Sequence, residues 1–142
     1  MVNGIATGLL VASLVLLIIY GADAAAAASS PDRAGFLPLS EAVRGSAFGG
    51  GAVVMSIIGF VIARKEHAPV VSTLLFVNGG LIIAGMLALI TRGALASEDA
   101  SGAMRTIGST IAMGALLIGL GAWKVAIDRK TVAAKGKEPA QK

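Results

Sequence analysis

The chain has 142 residues, of which 56% are hydrophobic and only 14% are charged, and its formal net charge is +4. A soluble domain usually carries charges at about 25% of its positions, and the apolar runs here are too long for a soluble core. The absence of cysteine excludes disulfides, thiolate metal sites and cysteine nucleophiles. Because the basic residues flank apolar segments and form no patch with aromatics, they indicate membrane topology, and no nucleic acid partner is predicted.

Four apolar runs predict transmembrane helices, at residues 4–22, 45–63, 69–91 and 106–126. The first three runs, and the fourth as far as residue 122, contain no Asp, Glu, Lys, Arg or His. Each run is about long enough for a helix to cross ~30 Å of hydrocarbon, and a helix satisfies its own backbone polar groups there. We therefore predict an all-α fold: an integral membrane four-helix bundle that forms a single domain over residues 1–127.

The segment after the first span, residues 23–44, is the longest predicted loop, and its alanine run can prolong the first helix. The stretch "GADAAAA" also offers a small-x-small cleavage site, so a cleaved secretory signal is the alternative to a retained helix. The apolar run is longer than a usual signal core, and no Lys or Arg precedes it. These two features favour a retained first helix.

The second and fourth spans each carry a stripe of small residues at alternating steps of 4 and 3, which place them along one face of a helix. In lipid, helix association depends on close backbone approach, which small side chains permit. We therefore predict that both stripes pack against other helices, either of this chain or of another subunit. The second-span stripe is Gly45, Gly49, Ala52, Ser56, Gly59 and Ala63, and the fourth-span stripe is Gly108, Ala112, Ala115, Gly119, Ala122 and Ala126.

The third span begins at Pro69 and carries Asn78, the one strongly polar side chain in the middle of a span. Such an Asn usually forms a hydrogen bond across a helix interface, which is our prediction, and lining a pore is the alternative. In the short turn before this span stands His67, the only histidine. A metal site needs two or three ligands at suitable spacing, so no metal and no cofactor is predicted there.

Trp123 and Lys124 stand near the far end of the fourth span and are predicted to anchor the helix at the membrane interface. Residues 128–142 read as a polar, Lys-rich cytoplasmic tail close to anionic lipid headgroups. With four spans, the N-terminus, the 64–68 turn and this tail share one side, which holds eight of the twelve basic residues. The positive-inside bias predicts that both termini are cytoplasmic, and we expect a prokaryotic plasma membrane.

No catalytic set of residues is found, so the chain itself is not predicted to be an enzyme. The four-helix size resembles that of small multidrug transporters, but their membrane-embedded glutamate is missing from the first span. The prediction is a non-catalytic structural or accessory subunit of a larger membrane complex, such as a respiratory or membrane oxygenase complex. Its partners would be other integral membrane subunits. The alternative is a small homo-oligomeric channel or transporter with a path lined by Asn78 and hydroxyl residues.

Overall fold

The computed structural model describes residues 2–32, 35–91 and 100–136, and helices account for most of them. The elements are α1 (Val2–Ser29), α2 (Glu41–Arg44), a π-helix (Gly45–Gly50), α3 (Gly51–Ala63), α4 (Pro69–Thr91) and α5 (Ala100–Lys135). The short α2, the π-helix and α3 follow one another without a break, so they form one continuous helical rod.

Four helical segments are long and apolar enough to cross a membrane: Gly4–Ser29, Gly45–Ala63, Pro69–Ala88 and Met104–Lys135. The predicted all-α four-helix bundle is therefore confirmed, and the chain is an integral membrane protein. Large apolar side chains remain exposed on the outside of every span, among them Ile18, Val54, Val70 and Leu116. Such an outer surface suits contact with lipid tails, which are as apolar as these side chains.

Two helices extend further than their apolar runs. The alanine run continues α1 to Ser29, because alanine has the highest intrinsic helix propensity. Helix α5 continues to Lys135. Residue 128, where the polar Lys-rich tail is predicted to begin, therefore lies within a helix. By sequence, Gly93 suits a helix C-cap and Ser97 suits a helix N-terminus, but both lie outside the described residues.

The helices associate mainly as two pairs, α1 with α3 and α4 with α5, and contacts between α1 and α4 join the pairs. The buried face of α1 advances by steps of 4 and 3 through Ala6, Leu10, Ser13 and Leu17. The core contains small as well as large apolar side chains: Ala6, Leu10, Val53, Phe60, Ala63, Ala68, Val71, Leu75 and Leu117. Small side chains let the helix backbones come close, which is the main source of packing energy in lipid.

The closest approach between helices is at glycines of α4 and α5. A Cβ added to Gly79 would lie 2.7 Å from the carbonyl oxygen of Gly114, and one added to Gly114 would lie 3.0 Å from the carbonyl oxygen of Gly79. At the α1–α3 contact, a Cβ added to Gly59 would lie 3.2 Å from the carbonyl oxygen of Ala6. Only glycine leaves room for these backbone contacts.

Candidate functional site: polar clusters and the outward face of α5

The second-span stripe faces the interior only in its α-helical part. Ala52, Ser56, Gly59 and Ala63 are buried, whereas a Cβ added to Gly49 would meet no atom within 4 Å. Gly45 is half-buried, and its added Cβ would lie 3.5 Å from the hydroxyl of Tyr20. The steps of 4 and 3 assume an α-helix, but the chain from Gly45 to Gly50 is a π-helix. A π-helix has a wider turn, so this part of the stripe loses its alignment with the rest.

The fourth-span stripe faces away from the bundle along its whole length, since all of its members are exposed. The buried face of α5 runs along the other side of the helix, through Ile107, Gly114, Leu117, Gly121, Lys124 and Asp128. Within this chain the stripe therefore makes no helix contact of the predicted kind. Packing of this stripe therefore remains a prediction only for contact with a helix of another chain.

Gly114 and Gly121, which bring α5 close to α4, are not among the predicted packing residues. Gly79 and Gly114 meet directly, and a Cβ on Gly121 would lie 3.3 Å from the carbonyl oxygen of Ser72. A signal for them does exist in the sequence. Gly114, Leu117, Gly121 and Lys124 follow steps of 3 and 4, and this pattern competes with the more complete stripe of small residues.

Asn78 joins three helices near the middle of the bundle. Its side-chain nitrogen lies 3.0 Å from Ser13 Oγ on α1 and 3.2 Å from Ser56 Oγ on α3, and it also donates to the carbonyl oxygen of Leu10 at 3.4 Å. Ser13 donates to the carbonyl oxygen of Ala52, and the two serine hydroxyls lie 2.8 Å apart. The three side chains are fully buried, so this cluster connects α1, α3 and α4.

The donors and acceptors of this cluster can be counted. Because the Ser13 hydroxyl donates to a carbonyl, the hydroxyl of Ser56 is the donor in the bond between the two serines. The amide nitrogen of Asn78 has two N–H groups for three acceptors, Ser13 Oγ, Ser56 Oγ and the Leu10 carbonyl oxygen, so one N–H is shared between two of them. The side-chain oxygen of Asn78 is buried without a hydrogen-bond partner among the described residues. The hydrogen bonds of this cluster therefore all link different helices inside the bundle.

A second polar cluster lies at the end of the bundle where the α3–α4 turn meets α5. The ammonium of Lys124 donates to the carbonyl oxygen of Glu66 at 2.6 Å and to Asp128 Oδ1 at 2.5 Å. His67 Nδ1 lies 3.7 Å from the same carboxylate oxygen. Lys124 is fully buried, whereas Trp123 is 59% exposed. The ammonium of Lys124 is thus bonded inside the bundle, to the turn and to Asp128, and the role of Trp123 and Lys124 as an interface anchor stays a prediction.

Two surface grooves adjoin this end of α5. The first has a volume of about 420 Å³ and is lined by His67, Asp128 and Arg129 together with mostly apolar residues. The second, of about 650 Å³, lies beside the last two residues of the fourth-span stripe, and its lining residues are Phe76, Ala122, Val125, Ala126, Arg129 and Lys130. The second carboxylate oxygen of Asp128 is buried without a hydrogen-bond partner in the described parts of the chain.

The opposite end of the bundle holds an ion pair between Asp23, near the end of α1, and Arg44, at the end of α2. Both residues are buried, and Asp23 Oδ1 also accepts a hydrogen bond from the backbone N–H of Leu37 at 2.8 Å. A Cβ on Gly35 would lie 2.6 Å from the carboxylate carbon of Asp23. Gly35, Leu37 and Arg44 are thereby held against α1. The sequence predicts either a loop or a prolonged first helix at Asp23, and the structure places it within α1.

Within residues 2–32, 35–91 and 100–136, no group of three His, Cys, Asp or Glu side chains is placed to hold a metal ion. Comparisons with protein-family models, with curated proteins and with solved structures found no match for this chain. The geometry of the helix faces and polar clusters is therefore the basis for a functional proposal.

Proposed function

We propose that this protein is a non-catalytic structural subunit of a larger integral membrane complex, and that the fourth-span stripe on α5 is the face that contacts its partner. The partner would contribute a transmembrane helix with a small-residue face of its own, because such faces allow close backbone approach. A respiratory or membrane oxygenase complex is a suitable setting, as is any assembly that needs a compact subunit without chemistry of its own.

The single observation that supports this proposal is the contrast between the two stripes. Most of the second-span stripe is buried against α1, whereas the fourth-span stripe is exposed at every position. A helix needs only apolar side chains to face lipid, and leucine serves as well as glycine there. A groove of about 650 Å³ beside Ala122 and Ala126 adds a concave surface of the kind that a second helix can enter.

The alternative of a channel lined by Asn78 has less support. Asn78, Ser13 and Ser56 are fully buried and bonded to one another, and neither groove described above is lined by any of them. A conducting path through this cluster would have to break the contacts between α1, α3 and α4. An exposed face for a partner requires no such change.

The proposal is tested by blocking the face and measuring assembly in the native membrane. Ala115→Phe adds a large side chain at an exposed position of the stripe, and Val54→Phe makes a comparable change on the exposed side of α3, where Val54 is 55% exposed. After gentle detergent extraction, native mass measurement should find the wild type and Val54→Phe with foreign subunits in fixed ratio. Ala115→Phe should be found alone.

Two results would refute this function. One is a pure homo-oligomer that conducts ions in liposomes, which would favour the channel. The other is equal loss of partners in both variants, which would remove the stripe from the interface. The chain contains no cysteine, so Ala115→Cys also provides a single cross-linking site with no background thiol, and the bound partner can be identified directly.

We also propose that both termini are cytoplasmic, in a prokaryotic plasma membrane, because the positive-inside bias favours the side with eight of the twelve basic residues. A reporter fused after residue 142 should be active in the cytoplasm. Activity on the outer side alone would reverse this topology.

A further inference from the structure

We propose that the groove at the end of α5 binds a phospholipid whose headgroup carries an N–H or O–H donor next to its phosphate, such as ethanolamine or glycerol. Asp128 would accept from the donor, and Arg129 would bind the phosphate. None of its lining residues belongs to the fourth-span stripe, although Val125 and Arg129 also line the second groove beside that stripe. The proposal does not depend on the role proposed for that face.

The acceptor is the second carboxylate oxygen of Asp128. Asp128 Oδ1 already accepts from Lys124, whereas Oδ2 is buried without a partner among the described residues. Buried carboxylate oxygens are normally hydrogen-bonded, so Oδ2 is an open acceptor in a side chain that lines the groove. The proposal requires that a donor in the groove reach this buried oxygen beside His67, whose Nδ1 lies 3.7 Å from Asp128 Oδ1 and whose side chain is 48% exposed.

The charges of the groove favour a phosphate beside that donor. Lys124 and Asp128 form an ion pair and compensate each other, which leaves Arg129 as the uncompensated charge among the lining residues. Arg129 is exposed, and a guanidinium can hold a phosphate through two parallel hydrogen bonds. The net charge of the groove is therefore positive and suits a phosphate. Asp128 Oδ2 can accept a hydrogen bond from a donor on the same ligand.

The position along α5 fits a lipid headgroup. Trp123 is 59% exposed, and tryptophan concentrates at the membrane–water interface. A rise of 1.5 Å per residue puts Asp128 about 7.5 Å beyond Trp123 along the helix. With Trp123 at the membrane–water interface, this distance would place Asp128 among the headgroups. Val125 and Val132 also line the groove, and they offer apolar contact to the first methylene groups of an acyl chain.

The test compares lipids that differ only in the headgroup. Purified protein in a mild detergent is titrated with phosphatidylethanolamine, phosphatidylglycerol and phosphatidylcholine of identical acyl chains, and bound lipid is counted by native mass spectrometry. Choline has no N–H or O–H donor, so the first two lipids should bind about tenfold more tightly. Equal binding of all three, or no retained lipid, would overturn the proposal.

Variants locate the site. Arg129→Gln should weaken binding of both donor lipids about tenfold. Lys130→Gln removes the same charge from a residue that lines only the second groove and should change binding by less than about twofold. Equal effects of the two would indicate nonspecific attraction to the basic helix end and refute the site.

The double variant Lys124→Met/Asp128→Leu removes the acceptor with its counter-ion and should abolish the preference over phosphatidylcholine. Its folding is checked by circular dichroism, and the Arg129 comparison decides the matter if it does not fold.

A last arm separates a lipid from a free phosphate. Inorganic phosphate and glycerol 3-phosphate are added in excess to the lipid-bound protein. Retention of the lipid supports the proposal, because the acyl chains contribute to binding. Displacement of the lipid by either soluble anion would assign a free phosphate site instead and overturn it.

Discussion

The crossing of α4 and α5 at Gly79 permits a sharp test of the packing. In Gly79→Ala, the new Cβ would lie 2.7 Å from the carbonyl oxygen of Gly114 and 3.1 Å from the backbone nitrogen of Ile118. Backbone atoms cannot rotate out of the way as side chains can. The helices would therefore have to separate by about 0.7 Å to restore ordinary van der Waals contact.

The expected cost follows from two opposing terms. Overpacking of this kind costs about 1–3 kcal/mol, and contact with backbone puts this site in the upper half of that range. Replacing glycine by alanine in a helix returns up to about 1 kcal/mol. We therefore expect Gly79→Ala to lower the free energy of unfolding by about 1–2 kcal/mol.

The matched control is the next residue in the chain. A Cβ on Gly80 would meet no atom within 4 Å, so Gly80→Ala carries the gain in helix propensity without the clash. We expect it to raise the free energy of unfolding by up to about 1 kcal/mol. The two neighbouring substitutions should thus have effects of opposite sign.

The assay is equilibrium unfolding in mixed micelles with increasing sodium dodecyl sulfate. Circular dichroism reports helix content, and fluorescence of Trp123, the only tryptophan, reports the contact with Phe60, whose ring centroid is 5.9 Å away. Stabilisation by both substitutions, or equal destabilisation by both, would refute a close crossing at Gly79.

Three further perturbations follow from the polar clusters, and the first two use the same unfolding assay. Asn78→Leu removes the hydrogen bonds that link α4 to α1 and α3 and should cost about 1–2 kcal/mol. Lys124→Met leaves the buried carboxylate of Asp128 without its cation and should cost about 3–5 kcal/mol, most of which returns when Asp128→Asn is added. Gly35→Ala overlaps the carboxylate of Asp23 and should speed proteolysis of residues 30–39.

Each of these perturbations has a control. Thr73→Val removes an exposed hydroxyl whose hydrogen bond is to its own helix, and it should change the free energy of unfolding by less than about 0.5 kcal/mol. If Asn78→Leu lowered the free energy of unfolding by no more than Thr73→Val does, Asn78 would not link the helices. For the ion pair, the control is the double variant Lys124→Met/Asp128→Asn. If it were as unstable as Lys124→Met alone, the unpaired charge of Asp128 would not be the cause of the destabilisation. Gly21→Ala adds a methyl group to α1 with no neighbour within 4 Å, and its proteolysis should match that of the wild type.

The four spans could be predicted from the sequence because hydrocarbon imposes a simple demand. A run of about 20 apolar residues that must satisfy its own backbone polar groups has one regular solution, the helix. The ends were less predictable, since the alanines after Asp23 and the polar residues after Asp128 are compatible with both loop and helix. The structure continues both helices through them.

The sequence by itself determined the class of the protein, an all-α membrane bundle, because length and apolarity alone decide which segments cross a bilayer. Which face of each helix turns inward was decided only by the tertiary structure. The small residues of α5 formed the more regular stripe, yet Gly114 and Gly121 face α4 while that stripe faces outward. In lipid, both faces of a helix are apolar, so hydrophobicity does not distinguish inside from outside. The choice depends on shape and on buried hydrogen bonds between residues far apart in the chain, such as Asn78 with Ser13.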